Sequence, residues 1–596
     1  MWLGCLFVSI GCLVAAAILS FPVSWADFSK KRGFTLFRGL IVGVFAANFF
    51  MFMPVHISSS DTSIYGIIMS LLLSFLNSIQ MFATGCEFSV VKDSIAHCPN
   101  WLQVPYQAWA SILYVLAPAF AAGFVLSLVK SISAAFRYVF SYNREVYVFS
   151  ELNKKSLTLA QDIKSDNKKA TVVFTNVFER SDKTPSELIE KAKRLGAILF
   201  KKDISVVNFR THSSAKALNF FVIGDDENEN LNKSLALIEG YKTRKNIRLY
   251  VFSTKIESGI LLSSVDKGLI KVHRVNEVQS LVNRIFYEGG EKLFENARIC
   301  DNGTKKISAV VVGIGRHGTE MLKALTWYCQ MDGYEIEINA FDSDPLAEEK
   351  FTALAPELMS PEYNGVVVSG EASYKITVHS GIDTSTITFA NEIAKINDAT
   401  YVIVALGNDD ININTAINLR MYFERMKIHP AIQAIVYDSE QKKALDGIKN
   451  YRGQEYDIEF IGDMQSSYTE KVIIDSELEN AALKRHLKWG NEEEFWAYEY
   501  NYRSSIASAI HLKARQKCGI AGADKKEEEL TQTERDSIEA LEHRRWNAYM
   551  RSEGYIYSRS KDPSSRNDLA KMHHNLVDFE SLPEEIKRLD SKVGTE

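Results

Sequence analysis

The sequence predicts a multi-domain chain: an α-helical transmembrane bundle, then two α/β domains built on parallel sheets, then a small all-α domain. Three observations carry this. Long apolar segments are confined to residues 1 to about 135, and a strand-turn-helix-strand phrase occurs twice in the middle. Ala481 to Lys517 follow a helical pattern. At 596 residues the chain is too long for one core. Its net charge of -5 with 24% charged residues provides no basic excess, which argues against direct nucleic-acid binding.

Four apolar segments fill the N-terminal part (1–135): Trp2 to Trp25, Thr35 to His56, Ser63 to Thr84 and Val104 to Val129. Each is close to the ~20 residues that a spanning helix requires. Trp2, Trp25, Tyr65, Trp101 and Trp109 lie near headgroup depth. Ser24-Trp25-Ala26 resembles a signal cleavage site, but no basic n-region precedes it, so a retained helix is preferred. Two basic clusters compete for the cytosolic side: Lys30, Lys31, Arg32 and Arg38 after the first segment, and Lys130, Arg137 and Arg144 after the last. Four spans place them on opposite sides. A re-entrant Ser63 to Thr84 would reconcile them and is the alternative to the preferred four spans. Polar residues in lipid are costly and are read as functional by default. Asn77, Gln80, Thr84 and Glu87 are therefore pore candidates, with Asn48 a further buried amide. Interhelical hydrogen bonds are the competing use. No T-V-G-Y-G filter is present. Cys86 and Cys98 flank a polar loop and either pair or stand as separate thiols; none of the seven cysteines has metal-site spacing.

The first α/β domain (144–290) begins with a strand at Glu145 to Phe149, a helix at Lys154 to Ile163 and a strand at Ala170 to Thr175. The second (305–465) opens on ISAVVVGIGRHG, with Gly313, Gly315 and Gly318 in G-x-G-x-x-G order between a strand and a helix, and Asp342 closing the next strand. Such glycines allow a tight turn, close approach of a pyrophosphate, and close packing of helix on strand, while the acid can take ribose hydroxyls. This is the pattern of a Rossmann unit, with free N–H groups at the helix start for phosphate. Arg316 and His317 lie inside the turn. The phrases at 218–252 and 400–437 repeat each other: an apolar strand runs into Asp225-Asp226 or Asp409-Asp410, then spaced asparagines, then a helix. The nucleotide-site residues are thus Gly313, Gly315, Arg316, His317, Gly318, Asp342, Asn408 and Asp409. The first copy has Ser150-Glu151-Leu152-Asn153-Lys154-Lys155 where the glycines belong, and it reads as structural.

Residues 144 to 465 resemble the tandem RCK or Trk-type (TrkA-N-like) nucleotide-binding domains. That resemblance implies a gating module behind a membrane pore and a homo-oligomer.

A helical connector (470–525) runs into a charged break at Asp524 to Leu530. The terminal domain (526–596) has Glu542-His543, Arg545-Trp546, Gly554-Tyr555, Tyr557, Lys571, His573, Leu582-Pro583, Lys587 and Asp590 in an order similar to the ryanodine-receptor repeat (RyR), although His574-Asn575 replaces the family's proline. Tyr498 to His511 resembles the helix that precedes this repeat. The resemblance implies a ligand module, with His543, Arg545, Trp546, Tyr555 and Tyr557 as the residues able to hold one; core packing is the competing role. The histidines lack partners at metal-ligand spacing, so no metal is expected.

No catalytic constellation is evident, so an enzyme is not expected. The leading expectation is a ligand-gated membrane effector or ion channel whose Rossmann and RyR domains sense a nucleotide (NAD(H), ATP or a signalling nucleotide). It would sit in the lipid of a bacterial inner membrane with its soluble domains in the cytosol. The domain pairing resembles effectors of antiviral (anti-phage) defence. The alternatives are a housekeeping potassium or cation channel or transporter subunit regulated by NAD(H) or ATP, and a membrane-tethered NAD-dependent enzyme.

Overall fold

The computed structural model describes residues 1–26, 32–59, 63–128, 134, 137–139, 144–178, 184–210, 216–362, 374–448, 450–474, 476–558 and 566–595. The chain divides into two compact units, Met1–Ser141 and Tyr142–Glu596.

In the first unit the four expected segments form helices Trp2–Ala26, Arg32–Ser59, Ile64–Phe82 and Asn100–Leu128, with a short helix Phe88–Ser94 in the loop. Among the described residues, Gly39–Ser59 and Ile64–Phe82 are long and apolar enough to cross a membrane, and Trp2–Ile18 is a shorter apolar stretch. The helix Ile64–Phe82 has two contrasting faces. Gly66, Ser70, Ser74 and Ser78 recur at four-residue spacing and are buried, the pattern of close helix approach. Each of these serines donates to the carbonyl one turn back, so no hydroxyl is left unsatisfied. The opposite face exposes Ile68, Leu72, Phe75, Leu76 and Ile79.

Among the pore candidates, the Asn77 amide lies 2.9 Å from His56 Nε2, and Gln80 Oε1 accepts from Cys86 Sγ at 3.8 Å. Thr84 turns the chain at φ 56° and donates to the Ala83 carbonyl at 2.6 Å. Glu87 is exposed and precedes the short helix. Asn48 is fully buried, and neither of its amide atoms has a hydrogen-bond partner among the described residues. Cys86 and Cys98 are free thiols. Lys30, Lys31 and Lys130, and the side chains of Arg32 and Arg38, lie outside the described residues.

The second unit contains two parallel sheets of the same order. In the first, β1 (Val146–Phe149), β2 (Thr171–Phe174), β3 (Ile198–Leu199), β4 (Leu218–Val222), β5 (Ile247–Phe252) and β6 (Lys271–Val275) are ordered β3-β2-β1-β4-β5-β6. The central strands β1, β2 and β4 are buried along their whole length and mostly apolar, as in a parallel sheet covered on both faces. In the second sheet a short β7 (Arg298–Ile299) pairs antiparallel with β8 (Lys305–Val312). Then β9 (Tyr334–Asp342), β10 (Tyr374–Ser380), β11 (Tyr401–Val404) and β12 (Ala431–Ile435) follow. A hairpin of β13 (Asn450–Tyr451) and β14 (Gln454–Glu455) leads to β15 (Ile458–Ile461), and the order is β10-β9-β8-β11-β12-β15. Both sheets are thus Rossmann-like.

The repeat is real, but its register corrects the sequence alignment. The two Asp-Asp pairs are offset by two residues, and the buried amides Asn230 and Asn412 are the equivalent positions. Asn230 bonds the Gly224 N–H and C=O and the Phe252 carbonyl. Asn412 accepts from Leu406 N at 2.7 Å and donates to Ile435 O at 2.8 Å. Each amide ties the ends of two neighbouring strands at the base of the following helix. Asn412→Ala leaves two buried backbone groups unpaired and is expected to cost about 2–3 kcal/mol, readable as a lower denaturation midpoint. A loss under about 0.5 kcal/mol would remove the staple role.

Helix Glu499–Lys517 is largely buried, and His511 Nε2 bonds the Gln330 carbonyl at 2.6 Å. Helix Gln532–Ser552 starts with a Thr531–Glu534 capping box and packs on the helix Arg316–Tyr328 and on Glu584–Gly594. A two-stranded sheet of β16 (Ile556–Tyr557) and β17 (Met572–His573) completes this part. Ile510, Leu541, Met550 and Leu576 share one apolar core with Ile307, Leu325 and Ile338 of the second α/β domain.

Candidate functional site

The turn after β8 folds as its glycines demand. Gly313 has φ 93°, and a Cβ there would lie 2.7 Å from the Ala405 carbonyl oxygen. A Cβ on Gly318 would fall 1.7 Å from the Gly313 carbonyl oxygen, so that glycine sets how closely the helix meets the strand. At Gly315 there is open space. The helix Arg316–Tyr328 begins there without a side-chain cap, leaving its first N–H groups facing outward.

These groups open into a cavity of about 600 Å³ that crosses the carboxyl ends of β9, β8, β11, β12 and β15. Gly313, Gly315, Arg316, His317 and Asp342 line it, so five of the eight expected nucleotide-site residues come together. Asp342 accepts from Ile314 N at 2.6 Å through one oxygen and from Asp344 N at 2.8 Å through the other. It therefore holds the glycine turn in shape while its remaining lone pairs face the cavity. Gly318 acts from beneath, through packing.

Asn408 and Asp409 do not line the cavity, a correction to the sequence expectation. Asn408 caps its own helix through Ile411 N, and Asp409 accepts from the N–H groups of Tyr437 and Asp438. Asp226 and Glu227 perform the same two tasks in the first copy, which identifies them as scaffold.

His317 and Tyr437 form one side wall, with the phenol oxygen 3.0 Å from His317 Nδ1. Burial, reinforced by Arg316, lowers the His317 pKa to about 4, so the ring is neutral at physiological pH. Burial, with Asp409 and Glu277 adding to it, pushes the Tyr437 phenol up to about 12.

The far wall comes from residues that carried no motif. Lys155 and Thr254 belong to the first α/β domain, Glu277 and Arg284 to the helix Glu277–Gly289 that closes it, and Tyr468 to the segment after β15. Lys155 Nζ donates to both Glu277 oxygens at 2.8 and 3.0 Å. Arg284 bonds Ser466. The first copy's own turn is filled: Asn153 donates to the Ile223 carbonyl at 2.8 Å, Ser150 Oγ accepts from Ile223 N at 2.9 Å, and a Cβ on Gly224 would strike Glu151. A phosphate has no room there, yet the same turn delivers Lys155 to the shared cavity.

The five ligand candidates expected in the C-terminal part are held within the fold. Arg545 is buried on Glu542 at 2.8 Å, and His543 donates to the Val577 carbonyl at 2.9 Å. Trp546 Nε1 lies 3.4 Å from the Tyr500 hydroxyl, and Tyr555 donates to Asp568 at 3.2 Å. The Tyr557 N–H donates to Glu357 of the second α/β domain at 2.7 Å. Four of these side chains thus bond within the C-terminal part, and the Tyr557 backbone joins it to the second α/β domain.

No protein-family model matches the chain, and no curated protein matches it. Among solved structures it is similar to the crystal structure of a GsuK mutant at 14% identity with a TM-score of 0.37, covering 79% of this chain and 97% of that one.

Proposed function

We propose that this chain is a membrane-anchored nucleotide sensor whose ligand binds at the Gly313–Gly318 turn and acts on the N-terminal helices to open a path for ions. The observation that carries the reading is the cavity itself. An uncapped helix start, an open glycine and the cations Arg316, Lys155 and Arg284 converge on one concave site. That combination favours a phosphate-bearing ligand. The lining of Ala405, Leu406 and Gly407 supplies the apolar floor on which a nucleoside rests.

The membrane role rests on the helix Ile64–Phe82. It is uninterrupted and about 28 Å long at 1.5 Å per residue, close to the thickness of a hydrocarbon core. Its small-residue face packs inward and its large apolar face points outward. This supports a spanning helix over a re-entrant one. A conducting path needs several copies around an axis, so the protein acts as a homo-oligomer.

The test uses the full chain in lipid nanodiscs and in liposomes. Thermal-shift titration with NAD(H), ATP and cyclic nucleotides should reveal a ligand, stabilising by about 2.7 kcal/mol at a hundredfold excess over Kd. The same ligand should trigger ion flux without being consumed. A panel without any shift sinks the sensor reading, while turnover of the ligand replaces it with an enzymatic one.

A further inference from the structure

Away from the cavity, the most unbalanced chemistry lies where the helices Glu477–His486, Glu499–Lys517 and Gln532–Ser552 meet the end of Glu584–Gly594. Each of the first three brings one arginine inward: Arg485 is 4%, Arg515 0% and Arg545 1% exposed. Arg545 and Arg515 take opposite oxygens of a single carboxylate, Glu542, at 2.8 and 3.0 Å. Arg485 and Arg515 also converge on the end of the fourth helix. Arg485 donates to the Thr595 carbonyl, and a Cβ on Gly594 would lie 3.4 Å from Arg515 Nη1.

These bonds use only part of the donor set. Nε and Nη2 of Arg485, Nε and Nη1 of Arg515, and Nη1 of Arg545 are buried with no hydrogen-bond partner among the described residues. Buried donors are normally paired, and a cluster of exceptions calls for water or an ion. Charge decides between the two. Asp332 acts on Arg515 but bonds Arg544 at 2.6 Å. Asp590 lies 3.4 Å from His543, and burial pushes its carboxyl up, toward the uncharged form. Burial, reinforced by Arg515 and Arg545, keeps His511 neutral. The carboxyl end of the helix Glu584–Gly594 adds roughly half a negative charge. Beside Glu542, that leaves about one positive charge or more in the core, and water accepts hydrogen bonds without cancelling charge.

From this juxtaposition we propose that Arg485, Arg515 and Arg545 bind a small monovalent inorganic anion, of the size and charge of chloride, as the counter-ion of the joint between these four helices. The walls are close, since a Cβ on Gly594 would strike the Ile538 side chain. Such packing suits a monatomic anion better than a tetrahedral oxyanion. Helix Glu499–Lys517 is also tied to the second α/β domain through the bond from His511 to the Gln330 carbonyl, so the anion secures that attachment too. The site is separate from the glycine-turn cavity and stands or falls independently of the nucleotide reading.

The experiment compares the full chain in nanodiscs in sodium chloride, bromide and gluconate at matched ionic strength, which holds screening constant. Chloride should raise the unfolding midpoint over gluconate by about 3 °C or more, saturably, and bromide should replace it. Amide hydrogen exchange should slow with chloride in Gln532–Ser552 and Glu584–Gly594. In Arg485→Met the chloride effect should fall below about 1 °C, and the midpoint in gluconate should equal or exceed that of wild type, because a buried, uncompensated charge has been removed. Lys488 still bonds the Thr595 carbonyl at 3.0 Å in that variant's surroundings. Equal wild-type midpoints in chloride and gluconate, protection that falls outside these helices, or an undiminished chloride effect in Arg485→Met overturns the inference. A chloride effect that appears only in Glu596→Gln, at a position outside the described residues, also overturns it, because a carboxylate of the chain then balances the arginines.

Discussion

Gly315→Asp is expected to lower nucleotide affinity by at least about 30-fold while leaving the fold intact. The fold survives because a Cβ at this position meets nothing within 4 Å and the backbone sits at φ -72°, which any residue adopts. Affinity falls because the new carboxylate occupies the approach to the helix start. Two like charges 4 Å apart repel by about 4 kcal/mol at an effective dielectric of 20, roughly a thousandfold. The open mouth of the cavity and the nearby Arg316 reduce this, hence the lower bound. The measurement is titration of wild type and variant with the same ligand, beside their melting curves. A variant that melts normally and binds normally would remove the glycine turn from the sensor.

Glu542→Ala is expected to cost about 3–5 kcal/mol, the largest stability loss of any single change considered. Glu542 is 1% exposed and bonds Arg515 at 3.0 Å and Arg545 at 2.8 Å, both themselves buried. Burial opposes its ionisation, but Arg545 and Arg515 overrule it and hold the carboxyl below the usual range. Arg485 is also buried nearby, bonds the Thr595 carbonyl, and has its pKa lowered to about 9 by burial and by Arg515 and Arg545 despite Glu542. Removing this carboxylate deprives three buried guanidinium groups of the counter-charge they share, although Asp332 still acts on Arg515. Because this cluster joins helices Glu477–His486, Glu499–Lys517 and Gln532–Ser552, the terminal module should detach, giving early proteolytic cleavage and a lower unfolding midpoint. A midpoint within about 1 kcal/mol of wild type would show that the guanidiniums repack or find other partners.

The chain's local instructions were legible in its order of residues. Apolar runs of spanning length, period-free strands such as Val310-Val311-Val312, and the glycine spacing at 313, 315 and 318 each act over a few residues, so a reader of the sequence meets them whole. The same reading erred where one residue type serves two uses. Asn408 and Asp409 look like ligand groups, but their neighbouring backbone amides claim them. His543, Arg545 and Tyr555 have the chemistry of a binding pocket, but burial turns them into the module's core. The first α/β copy looks inert because its turn lacks glycine.

Lys155, Glu277, Tyr437 and Tyr468 could not be found from spacing at all, since Lys155 and Tyr468 lie more than three hundred residues apart. Motif and periodicity record only interactions between near neighbours in the chain. The glycine turn and the parallel strands were therefore written locally, whereas the far wall of the cavity exists only once residues of both α/β domains and of the segment after β15 come together in the folded chain.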